Sequence, residues 1–185
     1  KRIIPILDDP QSFGQDYVFS FDIFKVFLLL YYDYLISDQN GIELIANMIN
    51  YMNGVALNIN AFVKEDKETA VELSFSIFRS YSRLIDKDPS QYFPLFSDAF
   101  LLNVSFLITA LFDENNDAIL PVSLPASIIY TMSKLAQTFG AELKEPLENS
   151  TICQFLSALL SNDDQNEKIV TMIKQIFTDL GITLN

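Results

Sequence analysis

Hydrophobic and polar residues recur along this chain at the three- and four-residue spacing of a helix, and no stretch sustains the two-residue alternation of a half-buried strand. Only five glycines, at positions 14, 41, 54, 140 and 181, punctuate that pattern. Residues 17–36 are apolar on nearly every side, which predicts a core helix buried by several neighbours. Residues 41–63 predict a second helix, with a break or bend at Asn53-Gly54, because both residues are poor in helix interiors. In the third, Glu68, Glu72, Ser76, Arg79 and Arg83 fall on one stripe at the 3.6-residue period, and that stripe is expected to face water. Beside it, Ala70, Leu73, Ile77 and Leu84 with Val71, Phe75 and Phe78 form an apolar arc too wide for one partner helix. This helix should stop at Asp88-Pro89, since proline disfavours helical geometry in the residue before it, and Ser90 is placed to cap the next.

Residues 91–112 carry Tyr92, Phe93, Phe96, Phe100 and Leu107 and predict a largely buried segment, with Pro94 near its start, where a helix tolerates it. A polar loop at 113–117 leads to a helix over about 125–140 that ends at Gly140, a residue suited to a left-handed end position. Two further helices, at about 150–161 and 165–180, have capping residues in Ser150 and Asp164 and a stop at Gly181. The expectation is a single all-α domain of seven or eight helices spanning 1–185, with 1–16 as an N-terminal extension. The opening Lys1-Arg2-Ile3-Ile4-Pro5 has neither an initiator methionine nor a leader pattern, so a fragment of a longer protein is expected.

Paired as 68–85 with 91–112 and 125–139 with 150–161, the helices make two hairpins, and the last helix starts a third. The stretch Ile85-Asp86-Lys87-Asp88-Pro89, followed by Tyr92-Phe93-Pro94-Leu95-Phe96, resembles the turn and second-helix opening of HEAT hairpins, including the irregular ones of karyopherins. The resemblance covers roughly residues 65–180, and the hairpin spacing is loosely the 40–47 residues of HEAT and armadillo arrays. It implies a right-handed α-solenoid of antiparallel hairpins whose faces bind other proteins and which carries no chemistry of its own. The competing architecture is a closed helical bundle that holds a hydrophobic ligand or an amphipathic helix in its aromatic interior.

Composition narrows the function more than the pattern does. Histidine is absent and Cys153 is the single cysteine, which removes His-based triads, internal disulfides and most ligands for zinc, iron or copper. A lone thiol suits a reducing compartment, cytosol or nucleus. The 24 acidic residues against 12 basic ones leave a charge of -12, the wrong sign for a phosphate backbone, so no nucleic-acid partner is expected. Asp22, Lys25 and Asp33 interrupt the most apolar stretch, so no membrane insertion is expected either. The triplets Asn103-Val104-Ser105 and Asn149-Ser150-Thr151 match the glycosylation pattern, the first inside a strongly helical apolar run.

Three clusters invite a chemical reading. Asp113-Glu114-Asn115-Asn116-Asp117 opens like a calcium loop, then fails at Ala118, where glycine is needed, and at Leu124, where a bidentate Glu belongs. Asp163-Asp164-Gln165-Asn166-Glu167 is acidic, but no matching basic clamp accompanies it and acids suit a helix start. Cys153 lacks a histidine base and sits between Ile152 and Phe155, which reads as a buried, inert thiol. No catalytic residue, cofactor or metal is therefore expected.

Charge placement points instead to protein binding. Lys64, Lys67, Arg79, Arg83 and Lys87 cluster within 24 residues, whereas residues 88–133 hold Asp88, Asp98, Asp113, Glu114 and Asp117 and no cation at all. The expected function is a non-enzymatic scaffold or adaptor. Asp113, Glu114 and Asp117 would dock a basic linear segment, Arg79 and Arg83 would recruit an acidic one, and exposed aromatics among Tyr81, Tyr92 and Tyr130 would supply affinity. The groove is expected along the second helices of the hairpins.

Overall fold

The computed structural model describes residues 15–113, 120–161 and 166–183, with all their side chains except those of residues 15, 16 and 65. The described elements are helices: α1 (Gln15–Leu35), α2 (Gln39–Leu57), α3 (Ile59–Glu65), α4 (Lys67–Lys87), the single turn α5 (Pro89–Tyr92), α6 (Ser97–Leu111), α7 (Leu124–Phe139), the single turn α8 (Lys144–Leu147), α9 (Thr151–Leu160) and α10 (Glu167–Leu180). Short 3₁₀ turns at Phe93–Leu95 and Gly140–Leu143 join α5 to α6 and α7 to α8. No strand occurs among the described residues, so the all-α reading stands.

Local chemistry sets the helix starts. Asp38, Asp66, Asp88, Ser150 and Asn166 each accept a hydrogen bond from a backbone N–H of the first turn that follows, satisfying donors the helix cannot pair internally. Ser150 is the predicted cap, whereas Asp88 takes the role expected of Ser90. Its extended backbone already ends α4 ahead of Pro89, so the same side chain serves the turn beyond. Asn166 replaces Asp164 as the cap of α10; Asp164 lies outside the described residues. Gly181 closes α10 in the left-handed conformation (φ 66°, ψ 30°) and Gly140 closes α7 at φ 53°, both without the Cβ that would clash there.

The central helix is α4. Ala70, Val71, Leu73, Ile77, Phe78, Tyr81, Leu84 and Ile85 are buried, and α1, α2, α3, α6 and α7 all pack against it. Further packing joins α7 to α10, α2 to α6, α6 to α9 and α1 to α2. The core between them is aromatic: Tyr81 stacks on Phe96 at 4.3 Å between ring centres, and Phe93 meets Phe100 edge-on at 5.8 Å. Its polar tips are paired. The Tyr81 hydroxyl donates to Asn53 Oδ1 at 2.7 Å, and the Tyr32 and Tyr92 hydroxyls share a hydrogen bond of 2.8 Å. Asn103, fully buried, donates from Nδ2 to the Ser74 carbonyl at 3.0 Å and accepts from the Ser74 hydroxyl, tying α6 to α4. A sugar cannot reach the Asn103 amide in the folded chain.

Four expectations change. The first helix is not enclosed: α4 covers one side, and Phe19, Phe27, Leu30, Tyr31 and Tyr34 remain exposed. The second helix runs unbroken through Asn53-Gly54 and ends at Asn58, because the Asn53 amide is used elsewhere, donating to the Leu95 carbonyl and accepting from Tyr81. Ser76 does not face water; it is small enough to let α1 close over it and donates to Asp22 Oδ1 at 3.1 Å. The fourth segment is not one helix, since Phe96 (φ -146°, ψ 19°) breaks it between the 3₁₀ turn and α6. No single helix among the described residues is long and apolar enough to cross a membrane, and the apolar pair 89–95 and 97–111 is bent by 81°.

The turn from α1 to α2 leaves no room at Gly41. A Cβ there would lie 2.0 Å from the Leu35 carbonyl oxygen, a clash with backbone rather than with a mobile side chain. Gly41→Ala is expected to destabilise the fold by about 3 kcal/mol, read as a lowered urea midpoint; an unchanged midpoint would contradict the close approach. Burial raises the Tyr81 phenol, and burial followed by the Tyr32 hydrogen bond raises Tyr92, both above the ordinary tyrosine value. An unfolded chain loses these protons above about pH 10 while the folded chain keeps them, so stability should fall as pH rises past about 10. Urea midpoints taken across that range should show the decline, and Tyr81→Phe should make it shallower.

Candidate partner-binding groove

Because α4 carries α1 on one side and α7 on the next, a groove of about 840 Å³ opens where the three helices meet. Val26, Leu29, Phe75 and Tyr130 supply apolar walls, and Ser82, Ser127 and Thr131 lie along it as hydroxyls. Thr131 Oγ1 pairs with Ser82 Oγ at 3.2 Å and with the Ser127 carbonyl at 2.9 Å, which joins α7 to α4 beneath the groove.

Cations frame it in two clusters. On the α1 side, Asp22 is shared by Lys25 at 3.5 Å and Arg79 at 3.6 Å, and the Arg79 guanidinium lies over the Phe75 ring at 5.3 Å. On the α7 side, Asp86 is shared by Arg83 at 3.4 Å and Lys134 at 2.6 Å, and Lys134 lies 5.2 Å from the centre of the Tyr130 ring. The hydrogen bond to Asp86 raises the Lys134 pKa, so its ammonium is charged throughout the neutral range. Four cations against two carboxylates leave a local charge of +2 on a chain whose total is -12. Arg79 and Arg83 each offer five N–H donors and use few of them here, which leaves a fork for an incoming carboxylate.

The residues expected to bind a partner fall in separate places. Arg79 and Arg83 lie together in this groove, one turn apart on α4. Asp113, just beyond α6, pairs with Lys67 at the opposite end of α4, about 18 Å from Arg79 along the helix axis at 1.5 Å per residue. Glu114 and Asp117 lie outside the described residues. Tyr92 does not project as an exposed anchor: it is 4% exposed, held by Tyr32 beneath the Lys87 ammonium, which sits 4.7 Å from the Tyr32 ring centre. Tyr81 is fully buried, because its ring fills the aromatic core and its hydroxyl finds Asn53. Tyr130 alone of the three keeps an exposed face, at 49%. Lys25 and Lys134 were missed by sequence reasoning, since they come from helices about 50 residues to either side of Arg79.

The acidic clusters and the lone thiol complete the candidates. No group of three or more His, Cys, Asp or Glu residues with metal-binding geometry occurs among the described residues, and Asp163, Asp164 and Gln165 lie outside them. Cys153 is buried in the first turn of α9, and burial, then the Glu148 charge, pushes its thiol up. No family model, curated protein or solved structure matches the chain.

Less thiolate and less access should make Cys153 sluggish toward alkylating reagents. Labelling with iodoacetamide at pH 8 is expected to run at least about tenfold slower in the native protein than in urea. Equal rates would mean an accessible, activated thiol.

Proposed function

We propose that the chain is a non-enzymatic interaction module, a HEAT- or armadillo-like stack of helical hairpins, whose groove between α1, α4 and α7 takes an acidic segment of a partner protein. The order of packing supports the stack. First helices meet first helices, α1 on α4, α4 on α7 and α7 on α10, while second helices meet second helices, α2 on α6 and α6 on α9. Neighbour-only packing of this kind is what a solenoid would give, while α3 packs on α4 as well and α7 and α9, the expected second hairpin, share little direct packing. Hairpins α1/α2 and α4/α6 link the two rows. The groove opens on the row of first helices, not on the second helices where the sequence put it. A single buried thiol fits a reducing compartment, cytosol or nucleus.

The observation that carries the reading is the basic island itself: four cations, two carboxylates and four apolar walls, concave, on a strongly acidic molecule. A basic segment would meet like charge there. An acidic amphipathic one satisfies both features, placing carboxylates on Arg79, Arg83, Lys25 and Lys134 and an apolar side chain against Leu29 and Tyr130. The adaptor role belongs to this surface rather than to the turn after α6, where Lys67 already occupies Asp113.

The test is fluorescence anisotropy with a labelled amphipathic peptide of about four helical turns, Glu on one face and Leu on the other, beside a twin with Lys in place of Glu. The acidic peptide should bind and the lysine twin should not. Arg79→Glu with Arg83→Glu should weaken binding at least about tenfold, and raising salt from about 0.05 to 0.3 M should weaken it in the native protein. Equal binding of the two peptides, or an indifferent double variant, would overturn the groove.

A further inference from the structure

The outer side of α1 is the largest unexplained surface. Phe19, Ile23, Phe27 and Leu30 recur at three- and four-residue intervals, on the side of the helix away from the buried Phe21, Phe24 and Leu28, and Tyr34 adds to them beyond a kink at Tyr31 (φ -129°, ψ 15°). Ile23 is half-buried, but the others are exposed, 66% at Phe19, 63% at Leu30 and 70% at Tyr34, with Phe27 and Tyr31 in ring contact at 5.8 Å. Scaled by the usual 150–250 Å² of a large side chain, the stripe presents on the order of 600 Å² of apolar surface. That is the upper limit of what a soluble monomer leaves uncovered. Lys25 and Asp22 are turned toward α4, where Arg79 and Ser76 hold Asp22, so they do not interrupt it. The remaining charged side chain described on α1, Asp33, is exposed near the helix end.

We infer that this face pairs with the same face of a second copy of the chain, two α1 helices packing antiparallel about a two-fold axis beside Phe27. Area and charge carry the inference. Two such faces together can remove about 1,200 Å² from water, the lower edge of a specific interface. Antiparallel pairing sets Ile23 of one copy against Leu30 of the other and brings Phe19 to the end that carries Tyr34. It also puts the two Asp33 carboxylates at opposite ends of the contact. A parallel pairing would bring them side by side. Both hands of the interface are supplied by one stripe, as an isologous contact requires. The inference does not use the groove: Arg79 and Arg83 lie on α4, away from this face.

Sedimentation velocity on the full chain across about 1–100 μM should show a concentration-dependent shift from one 21.0 kDa chain toward two. Leu30→Glu and Tyr34→Glu should each raise the dissociation constant at least about tenfold with an unchanged urea midpoint, since neither side chain is in the core. In a Cys153→Ser background, a mixture of Ile23→Cys and Leu30→Cys chains, the residues that face each other across the axis, should oxidise to the mixed disulfide in preference to either symmetric one. A chain that stays monomeric at 100 μM, a dimer indifferent to both glutamates, or symmetric disulfides in preference to the mixed one would overturn the proposal. A chain that dimerises only once residues 1–14 are removed would overturn it too, by assigning the face to the chain's own start.

Discussion

A helix enclosed by neighbours on most of its sides can be approached closely only where its side chains are small, and α4 meets that constraint with serine. Ser74, Ser76 and Ser80 are buried, and every one of their hydroxyls must find an acceptor or cost free energy. Each finds it on a neighbour: Ser74 on Asn103 of α6, Ser76 on Asp22 of α1, Ser80 on the Phe21 carbonyl of α1 at 3.2 Å. Ser82 adds the link to Thr131 of α7. The apolar residues around these serines supply most of the burial, but they do not fix how far each helix slides along α4. Directional bonds to particular residues do, and with them the register of α1, α6 and α7 is set.

That register has consequences at the surface. Holding α1 by Phe21 and Asp22 turns Phe24 and Leu28 inward, and the same rotation leaves Phe19, Leu30 and Tyr34 facing out. A helix apolar on all sides has no polar stripe to choose its orientation, so contacts made by α4 choose it instead. The same contact places Asp22 within reach of Arg79 and Lys25, while Asp86, one turn beyond Ser82 on α4, meets Lys134 as α7 comes alongside. The groove and the outer stripe of α1 are two results of one packing solution.

Features decided within a few residues were legible in the sequence. Asp88-Pro89 ends α4, Ser150 caps α9 and Gly181 stops α10, since each depends on its own backbone conformation and nearest neighbours. What depended on partners far along the chain was not. Asn53-Gly54 resembles a breaker locally, but the Asn53 side chain is committed to Leu95 and Tyr81, 42 and 28 residues away. Serines on α4 carry the composition of a wet face, and only the helices that close over them reveal them as core. Apolar residues on all sides of α1 indicate surface to be covered without naming the cover, which need not come from the same chain. In the groove, Arg79 and Arg83 share one short stretch and could be paired on paper, whereas Lys25 and Lys134 join them only through tertiary contact.

The ion pairs of the groove add little to stability. Apart from Lys25, which is 13% exposed, their side chains are between about a quarter and a half exposed, and exposed pairs are worth roughly 0–1 kcal/mol each. For the proposed acidic partner that weakness would matter, since an incoming carboxylate could replace Asp22 on Arg79, or Asp86 on Arg83, at small cost. Until then the resident acids hold the cations pointing along the groove, limiting the rotamer entropy lost on capture. The surrounding charge of -12 sets the range of that attraction. At physiological salt it is screened within about 8 Å, so an acidic segment is repelled weakly at a distance and attracted only once it is over the groove. Selectivity for the proposed partner would then rest on shape and apolar contact with Leu29 and Tyr130 as much as on charge, because long-range steering, which would draw in any anion, is missing from a molecule of this sign.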